Sequence, residues 1–296
     1  MKIFNLGSLN VDYVYRVPHF VRPGETLAST ELNIFPGGKG LNQSIALSKA
    51  GIDVIHGGLL GSDGDLLLDT LQTAGVHTAH IKKLNIQSGH AIIQVDENGQ
   101  NSILLYAGAN HCFDTPYILS VLESAEAGDV LLLQNEINDL AEIFEIAHSK
   151  GMRIAFNPSP YHESIKTLPL SYVTWWLCNE IEGAELTGKS DPEQILSALC
   201  HMYPESNVLL TIGEKGSLYQ TGNTLLQQPI YKVKVADTTA AGDTFTGFFL
   251  ASLLQGNDPA NALKTAAAAA SIAVSRPGAA ASIPTIREVN EFLAQQ

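Results

Sequence analysis

Short apolar runs rich in β-branched and aromatic residues alternate along this chain with longer segments whose apolar residues recur at helical spacing. Such runs suit strands buried on both faces, and the segments between them suit amphipathic helices. The alternation therefore predicts parallel strands joined by crossover helices. Core strands are predicted over Ile3 to Ser8, Val54 to Leu60, Val130 to Gln134, Arg153 to Asn157, Val173 to Cys178 and Val208 to Thr211. Helices are predicted over Leu41 to Ala50, Asp65 to Ala74, Pro116 to Ala125, Asp139 to Lys150, Ile181 to Leu186, Pro192 to His201, Gly242 to Leu254, Pro259 to Val274 and Ile286 to Leu293. Two stretches break the rhythm: Val11 to Phe35 and His90 to Ala107 alternate polar and apolar residues without helix caps. These are expected as antiparallel strands outside the main sheet, a small lid over its strand ends. A half-exposed flap needs covering, and a second subunit is one way to cover it. The expectation for 296 residues is one α/β domain, with the lid (about 11–35 and 90–107) inserted in it.

Composition narrows the partners. Thirty acidic against 17 basic residues give a formal net charge of −13, which repels nucleic acid and anionic membranes and favours a small-molecule partner. The three cysteines, Cys112, Cys178 and Cys200, lack metal-type spacing and read as reduced thiols. Met1 to Ser8 reads as a strand rather than a signal peptide, and no apolar run reaches membrane-spanning length, so a cytoplasmic protein is expected.

The chemistry concentrates in Asp237-Thr-Thr-Ala-Ala-Gly-Asp243-Thr-Phe-Thr-Gly247, which runs straight into an apolar helix. Small residues permit a tight turn, and the helix start offers unpaired N–H groups and a positive dipole end to an anion. Asp243 inside that turn has two readings, an ordinary helix cap or a proton acceptor beside a phosphate in transfer. A second cluster, Pro36-Gly37-Gly38-Lys39-Gly40-Leu41-Asn42-Gln43, also precedes a helix and suits a polyhydroxyl ligand. Asn10 and Asp12 would lie at the same sheet end, since ligands collect at the carboxyl ends of parallel strands. For each of these residues a turn or cap role is an equally good explanation.

Gly183-Ala-Glu-Leu-Thr-Gly188-Lys189-Ser190 matches the phosphate-binding P-loop pattern letter for letter. Its context argues against that role: Asn179 to Glu182 separate it from the strand, and Ala184, Glu185 and Leu186 are strong helix formers. Thr187-Gly188 reads instead as a helix end, and Ser190-Asp-Pro-Glu193 as a capping box. Asn179 and Glu182, read as sharing one helix face after a strand end, could hold the water shell of a magnesium ion or be no more than a solvated helix start.

Taken in order, Gly37-Gly-Lys-Gly-Leu-Asn-Gln43 and Asp237-Thr-Thr-Ala-Ala-Gly-Asp-Thr-Phe245 resemble the two signature segments of the ribokinase (PfkB) family of sugar kinases. The likeness covers nearly the whole chain. Gly7-Ser-Leu-Asn-Val-Asp12, Pro23-Gly-Glu-Thr26, Gly108-Ala-Asn110, Asn157-Pro-Ser-Pro160, Asn179-Glu-Ile-Glu182, Leu186-Thr-Gly188 and Thr211-Ile-Gly-Glu-Lys-Gly216 also fit. The resemblance implies a three-layer αβα fold with a mostly parallel sheet, and an ATP-dependent transfer to a sugar hydroxyl. It makes Asp243 the general base and the N–H groups of Ala240, Ala241, Gly242 and Asp243 an anion hole. It assigns the sugar to Asn10, Asp12, Gly38, Lys39, Asn42 and Glu136. ATP would lie on Asn179, Thr211, Gly213, Glu214, Lys215, Gly216, Gly242 and Ala267, within the segment Ala266 to Ala270. Magnesium goes to Asn179 and Glu182, and an activating potassium ion to Asp237, Thr239, Ala273, Arg276, Gly278 and Ser282, several through backbone carbonyls.

The double alanine at Ala240 is similar to ribokinases in particular and tilts the expected sugar toward D-ribose, giving D-ribose 5-phosphate. Gln134-Asn-Glu136 and the bulky Tyr13, Tyr15 and Phe35 depart from the commonest pattern. Those aromatics could pack the lid or reshape the pocket for 2-deoxyribose, fructose or a nucleoside. The expected assembly is a homodimer through the lid. A catalytically silent sugar- or nucleotide-binding regulator is the non-kinase alternative, disfavoured because a pure binder needs no buried base.

Overall fold

In the computed structural model, which describes residues 1–296, the apolar runs build one large sheet and the two irregular stretches a smaller one. Along the chain come β1 (Ile3–Leu6), β2 (Asn10–Arg16), β3 (Glu31–Gly37), α1 (Lys39–Lys49), β4 (Val54–Gly57), β5 (Leu59–Leu60), α2 (Asp65–Thr73) and β6 (Lys82–Lys83). There follow β7 (Gly89–Val95), β8 (Asn101–Tyr106), α3 (Thr115–Val121), β9 (Val130–Gln134), α4 (Leu140–Ser149), β10 (Arg153–Asn157), β11 (Val173–Asn179) and α5 (Glu180–Thr187). The last part holds α6 (Pro192–Met202), β12 (Asn207–Thr211), β13 (Ser217–Thr221), β14 (Thr224–Gln228), α7 (Ala241–Leu254), α8 (Pro259–Val274) and α9 (Ile286–Leu293).

The large sheet has eight strands in the order β14-β13-β12-β11-β10-β9-β1-β4. From β4 to β12 every neighbour is parallel, and the β12-β13-β14 edge is antiparallel. Side-chain alternation feeds two cores. Ile3, Val130 and Leu132 face the layer of α1, α2, α7, α8 and α9, while Phe4, Leu6, Leu131 and Leu133 face that of α3, α4 and α6. This is the expected three-layer αβα arrangement. No helix is long and apolar enough to cross a membrane. All three cysteines are free, Cys178 buried and Cys112 exposed.

Several expectations need correction. The edge hairpin β13-β14 was not foreseen, although Gly222-Asn223 is a two-residue turn between alternating strands, with Gly222 at φ 51. The run Val54 to Leu60 divides into β4 and the short β5, which pairs with β6, and the helix expected to reach Ala125 ends at Val121. In the small sheet, ordered β3-β2-β7-β8, the hairpin pairs are antiparallel but β2 and β7 run parallel, Asn10 opposite Gly89. The reason is connectivity: β2 and β7 both lead out from the body of the molecule, so side by side they must point the same way. Residues 17–30 connect β2 to β3 rather than extending either strand. At the P-loop look-alike, Gly183 lies in α5 and Gly188 caps its end at φ 70. The cap of α6 is Asp191, accepting from Gln194 N–H at 3.1 Å, and not Ser190.

Candidate active site

Helix α7 begins where the chain leaves a left-handed residue, Ala240, at φ 58 and ψ 10. An L-residue there costs on the order of 1 kcal/mol, so the turn is held by its surroundings rather than by local preference. The N–H groups of Ala240, Gly242 and Asp243 have no acceptor within the chain, whereas that of Ala241 turns back to the Thr238 carbonyl at 3.3 Å. An added Cβ on Gly242 would meet nothing, so the turn is open to a ligand.

Asp243 lies in the first turn of α7 and is only 8% exposed. Its Oδ2 accepts from Asn42 Nδ2 at 3.0 Å and its Oδ1 from Gln43 Nε2 at 2.9 Å. Those two amides sit in the first turn of α1, and a glycine brings the helices together: a Cβ on Gly247 would lie 2.4 Å from the Ala46 Cβ. Asp243 therefore does more than cap a helix; both of its oxygens are held by neutral donors from a different helix. Asn42 Oδ1 is buried without a partner and remains available to accept from a ligand hydroxyl.

The glycine-rich loop works largely through close packing. Gly38 takes φ 94 ahead of α1, and a Cβ on Gly40 would lie 2.4 Å from Ser8 N, which seats the helix start on the end of β1. Lys39 and Glu136 meet at this seat: Glu136 Oε2 accepts from the Lys39 N–H at 3.1 Å and from the Ser8 hydroxyl. Burial pulls the Lys39 ammonium down, but Asp243, Glu136 and Glu182 more than offset it, and its pKa ends above the ordinary value. Burial raises Glu136, and Asp243 adds to that, while Lys39 and Ser8 oppose it. Asn10 is buried and accepts from Asn110 Nδ2 at 2.7 Å, and Asn110 also takes the Leu9 N–H at 3.0 Å. The Asp12 carboxyl makes no hydrogen bond; burial, and then the charge of Glu136, pushes it up to about 7. Phe35 and Ala91 lie beside Asp12 in register. Tyr13, on the opposite side of the small sheet, packs into the apolar core.

A cavity of about 250 Å³ runs from Lys39, Gln43 and Asp243 across Ala240 to Gly242 to Asn179, Glu182 and Thr211. Asn179 is not within a helix but caps one: its Oδ1 accepts from the N–H groups of Ile181 and Glu182, both at 2.9 Å. Glu182 returns the bond, its Oε2 accepting from Asn179 N–H at 2.9 Å. The capping reading thus accounts for one oxygen of each side chain, and both residues still line the cavity, with Glu182 only 6% exposed. Glu182 and Asp243 give this wall two carboxylates, a donor set that fits a hydrated magnesium ion held partly through phosphate. Gly213, Glu214 and Lys215 form a short turn after β12, and neither they, Gly216 nor Ala267 line the cavity; the Ala267 methyl is part of the apolar core.

Behind the anion turn, Asp237 ties two loops together. Its Oδ1 accepts from Thr239 N–H at 2.9 Å and Thr239 Oγ1 at 2.6 Å, and its Oδ2 from Gly278 N–H at 3.0 Å. Burial raises Asp237, but these bonds outweigh it and hold the carboxyl below its usual range. Ser282 bonds the Ala279 carbonyl at 2.8 Å, and the Arg276 guanidinium turns to Glu288 at 2.7 Å rather than into the loop. At the Arg276 end, any ligand role therefore falls to backbone, as carbonyl ligation of a monovalent ion would require. Sequence patterning assigned no role to Ser8, Gln43, Asn110 or Gln134. Gln43 had a visible signal, its place beside Asn42 in the first turn after the glycine loop.

The pfkB family of carbohydrate kinases matches residues 1–286 of this chain. A ribokinase of Staphylococcus aureus (strain COL) is 36% identical over 304 residues, covering 98% of this chain and 99% of its own. A solved ribokinase from Cryptococcus neoformans var. grubii, in complex with ADP, is 33% identical with a TM-score of 0.87, covering 98% of this chain and 99% of its own. The Arabidopsis thaliana ribokinase complexed with ribose and ATP is 29% identical with a TM-score of 0.86, covering 99% of this chain and 98% of its own.

Proposed function

The chain belongs to the pfkB family of carbohydrate kinases, and from that premise we propose that it transfers the γ-phosphoryl group of ATP to D-ribose, giving D-ribose 5-phosphate. The observation that carries this reading is Asp243, a buried carboxylate held by Asn42 and Gln43 at the mouth of a turn with free N–H groups. Phosphoryl transfer needs position and charge neutralisation more than covalent chemistry. Asp243 accepts the proton of the attacking hydroxyl. The N–H groups of Ala240, Gly242 and Asp243 and the Lys39 ammonium face the charge on the transferring group. Ribose is favoured by the ribokinase relatives and by the mixed acid and amide set of Asn10, Asp12, Asn42, Lys39 and Glu136, which suits vicinal hydroxyls.

Asn179 and Glu182, with the phosphates, would hold a magnesium ion, which would supply further charge neutralisation. An activating potassium ion would be held where Asp237 and Thr239 meet the segment containing Ala273, Arg276, Gly278 and Ser282, through backbone carbonyls. Gly213 to Gly216 and the backbone near Ala267 would border the nucleotide. The small sheet acts as the lid, within a single domain. Its edge strand β8 exposes Ile103 and Leu105 on one face and Leu104 and Tyr106 on the other, at 53%, 50%, 68% and 55%, an apolar edge that a second copy of the chain would cover, giving a homodimer. The charge and cysteine usage favour a cytoplasmic enzyme. The test is an ADP-release assay with ATP and magnesium over pentoses, hexoses and nucleosides, with the product position read by phosphorus NMR. Ribose should show the highest kcat/KM; an equal or better value for deoxyribose or fructose would overturn the substrate while leaving the family in place.

A further inference from the structure

Behind Asp243 runs a chain of uncharged polar side chains through the interior between α1, β1 and β9. Asn5, Gln43, Ser44, His56 and Gln134 are each 0–1% exposed, a place where apolar residues would be the default. The direction of its amide hydrogen bonds follows from one fixed end. The Gly40 carbonyl can only accept, so Asn5 presents Nδ2 to it at 2.8 Å and to Ser44 Oγ at 2.8 Å. Asn5 Oδ1 is thereby turned to Gln134, whose Nε2 donates to it at 3.0 Å and to Gln43 Oε1 at 2.7 Å. With its carbonyl held, Gln43 has only Nε2 left for Asp243 Oδ1, at 2.9 Å. Ser44 Oγ also lies 2.8 Å from His56 Nδ1, which extends the chain to β4. The arrangement has a cost: Gln134 Oε1 and His56 Nε2 are buried without partners. Gly7 leaves room for that oxygen, since a Cβ there would lie 2.4 Å from it.

We propose that Gln43 and Gln134 are positioning residues for phosphoryl transfer: the chain from the Gly40 carbonyl through Asn5 and Gln134 forces Gln43 to donate to Asp243. The carboxylate is thereby held with its remaining lone pairs toward the sugar hydroxyl. If Gln43 turned over, its carbonyl oxygen would face Asp243 Oδ1, acceptor against acceptor, and the carboxylate would rotate away. Neither Gln134 nor Asn5 touches Asp243; they act on it only through Gln43. The proposal rests on Asp243 being the proton acceptor.

Gln134→Met and Gln43→Met each delete the donor at similar length, at two points of the chain, so the test survives if one of them fails to melt cooperatively. The expected result is a kcat lowered by about 10- to 100-fold, the loss of one hydrogen bond to a charged group, with the KM for sugar within about threefold of the parent. Gln134→Glu adds a readout that a purely structural role would not move. Its protonated carboxyl can still donate to Gln43 Oε1 and its ionised form cannot, so its kcat relative to the parent should fall as pH rises. A kcat within about twofold of the parent in a folded variant would overturn the proposal. So would a loss confined to sugar KM, or a constant ratio of Gln134→Glu to parent across pH. Asp243→Asn runs alongside: if it too keeps its activity the proposed function fails, whereas if it alone loses activity only the positioning role fails.

Discussion

Asp12 offers a perturbation that needs no mutation. Burial and the nearby Glu136 push its carboxyl from 3.8 to about 7, and it has no hydrogen-bond partner of its own. At pH 7 about half the free enzyme carries a protonated Asp12, and at pH 5 the ionised fraction is about one in 100. A ribose hydroxyl that donates to the carboxylate selects the ionised form. Affinity should therefore weaken as pH falls, by about twofold at pH 7 and toward a limit of about 100-fold at pH 5, relative to pH 9. The assay is calorimetric titration of sugar without nucleotide, with Asp12→Asn in parallel because Glu136 is also raised by burial and lies near. The parent should show the slope and Asp12→Asn should lose most of it. Equal slopes would assign the titration to Glu136, and a flat parent would refute the reasoning. Stability moves the opposite way. The folded Asp12 holds its proton between about 4 and 7, where the unfolded one has lost it, so its contribution to stability falls as pH climbs through that window.

Gly247→Ala places a Cβ 2.4 Å from the Ala46 Cβ, so α7 must back away from α1. Thermal or urea unfolding should show a loss of about 1–3 kcal/mol, with a fall in kcat as the Asn42 and Gln43 bonds to Asp243 lengthen. Potassium should raise activity in a titration at constant ionic strength, and a flat response up to physiological levels would remove the proposed potassium site from the mechanism. Asn110→Ala frees Asn10 Oδ1 and the Leu9 N–H; the expected effect is a KM for sugar raised by about tenfold with kcat nearly kept.

What could be read from sequence was what local chemistry writes in consecutive residues. The two signature segments marked Asp243, Asn42 and Lys39 because a tight turn and a helix start need small residues and caps next to each other. The alternation of apolar runs likewise foretold the parallel core. Gln134 and Asn5 were unreadable as parts of the site: each ends or interrupts an apolar strand, and their partners are 91 and 129 positions apart for Gln134 and 35 and 39 for Asn5. The parallel pairing of β2 with β7 was hidden for a similar reason. Alternation within a strand says which face is buried but not which strand lies beside it. Asn179 and Glu182 show the reverse failure: a spacing that suggested a shared helix face is met first by a capping box, a local bond pattern the same residues also spell.

The most direct test of phosphoryl transfer at this site is Asp243→Asn, measured for both turnover and sugar binding. The substitution keeps the shape of the side chain and removes its capacity to take a proton. General-base loss alone predicts a kcat lower by about 100- to 10,000-fold with calorimetric ribose affinity within a few-fold of the parent. Retention of parental kcat in a folded Asp243→Asn enzyme would contradict the central claim.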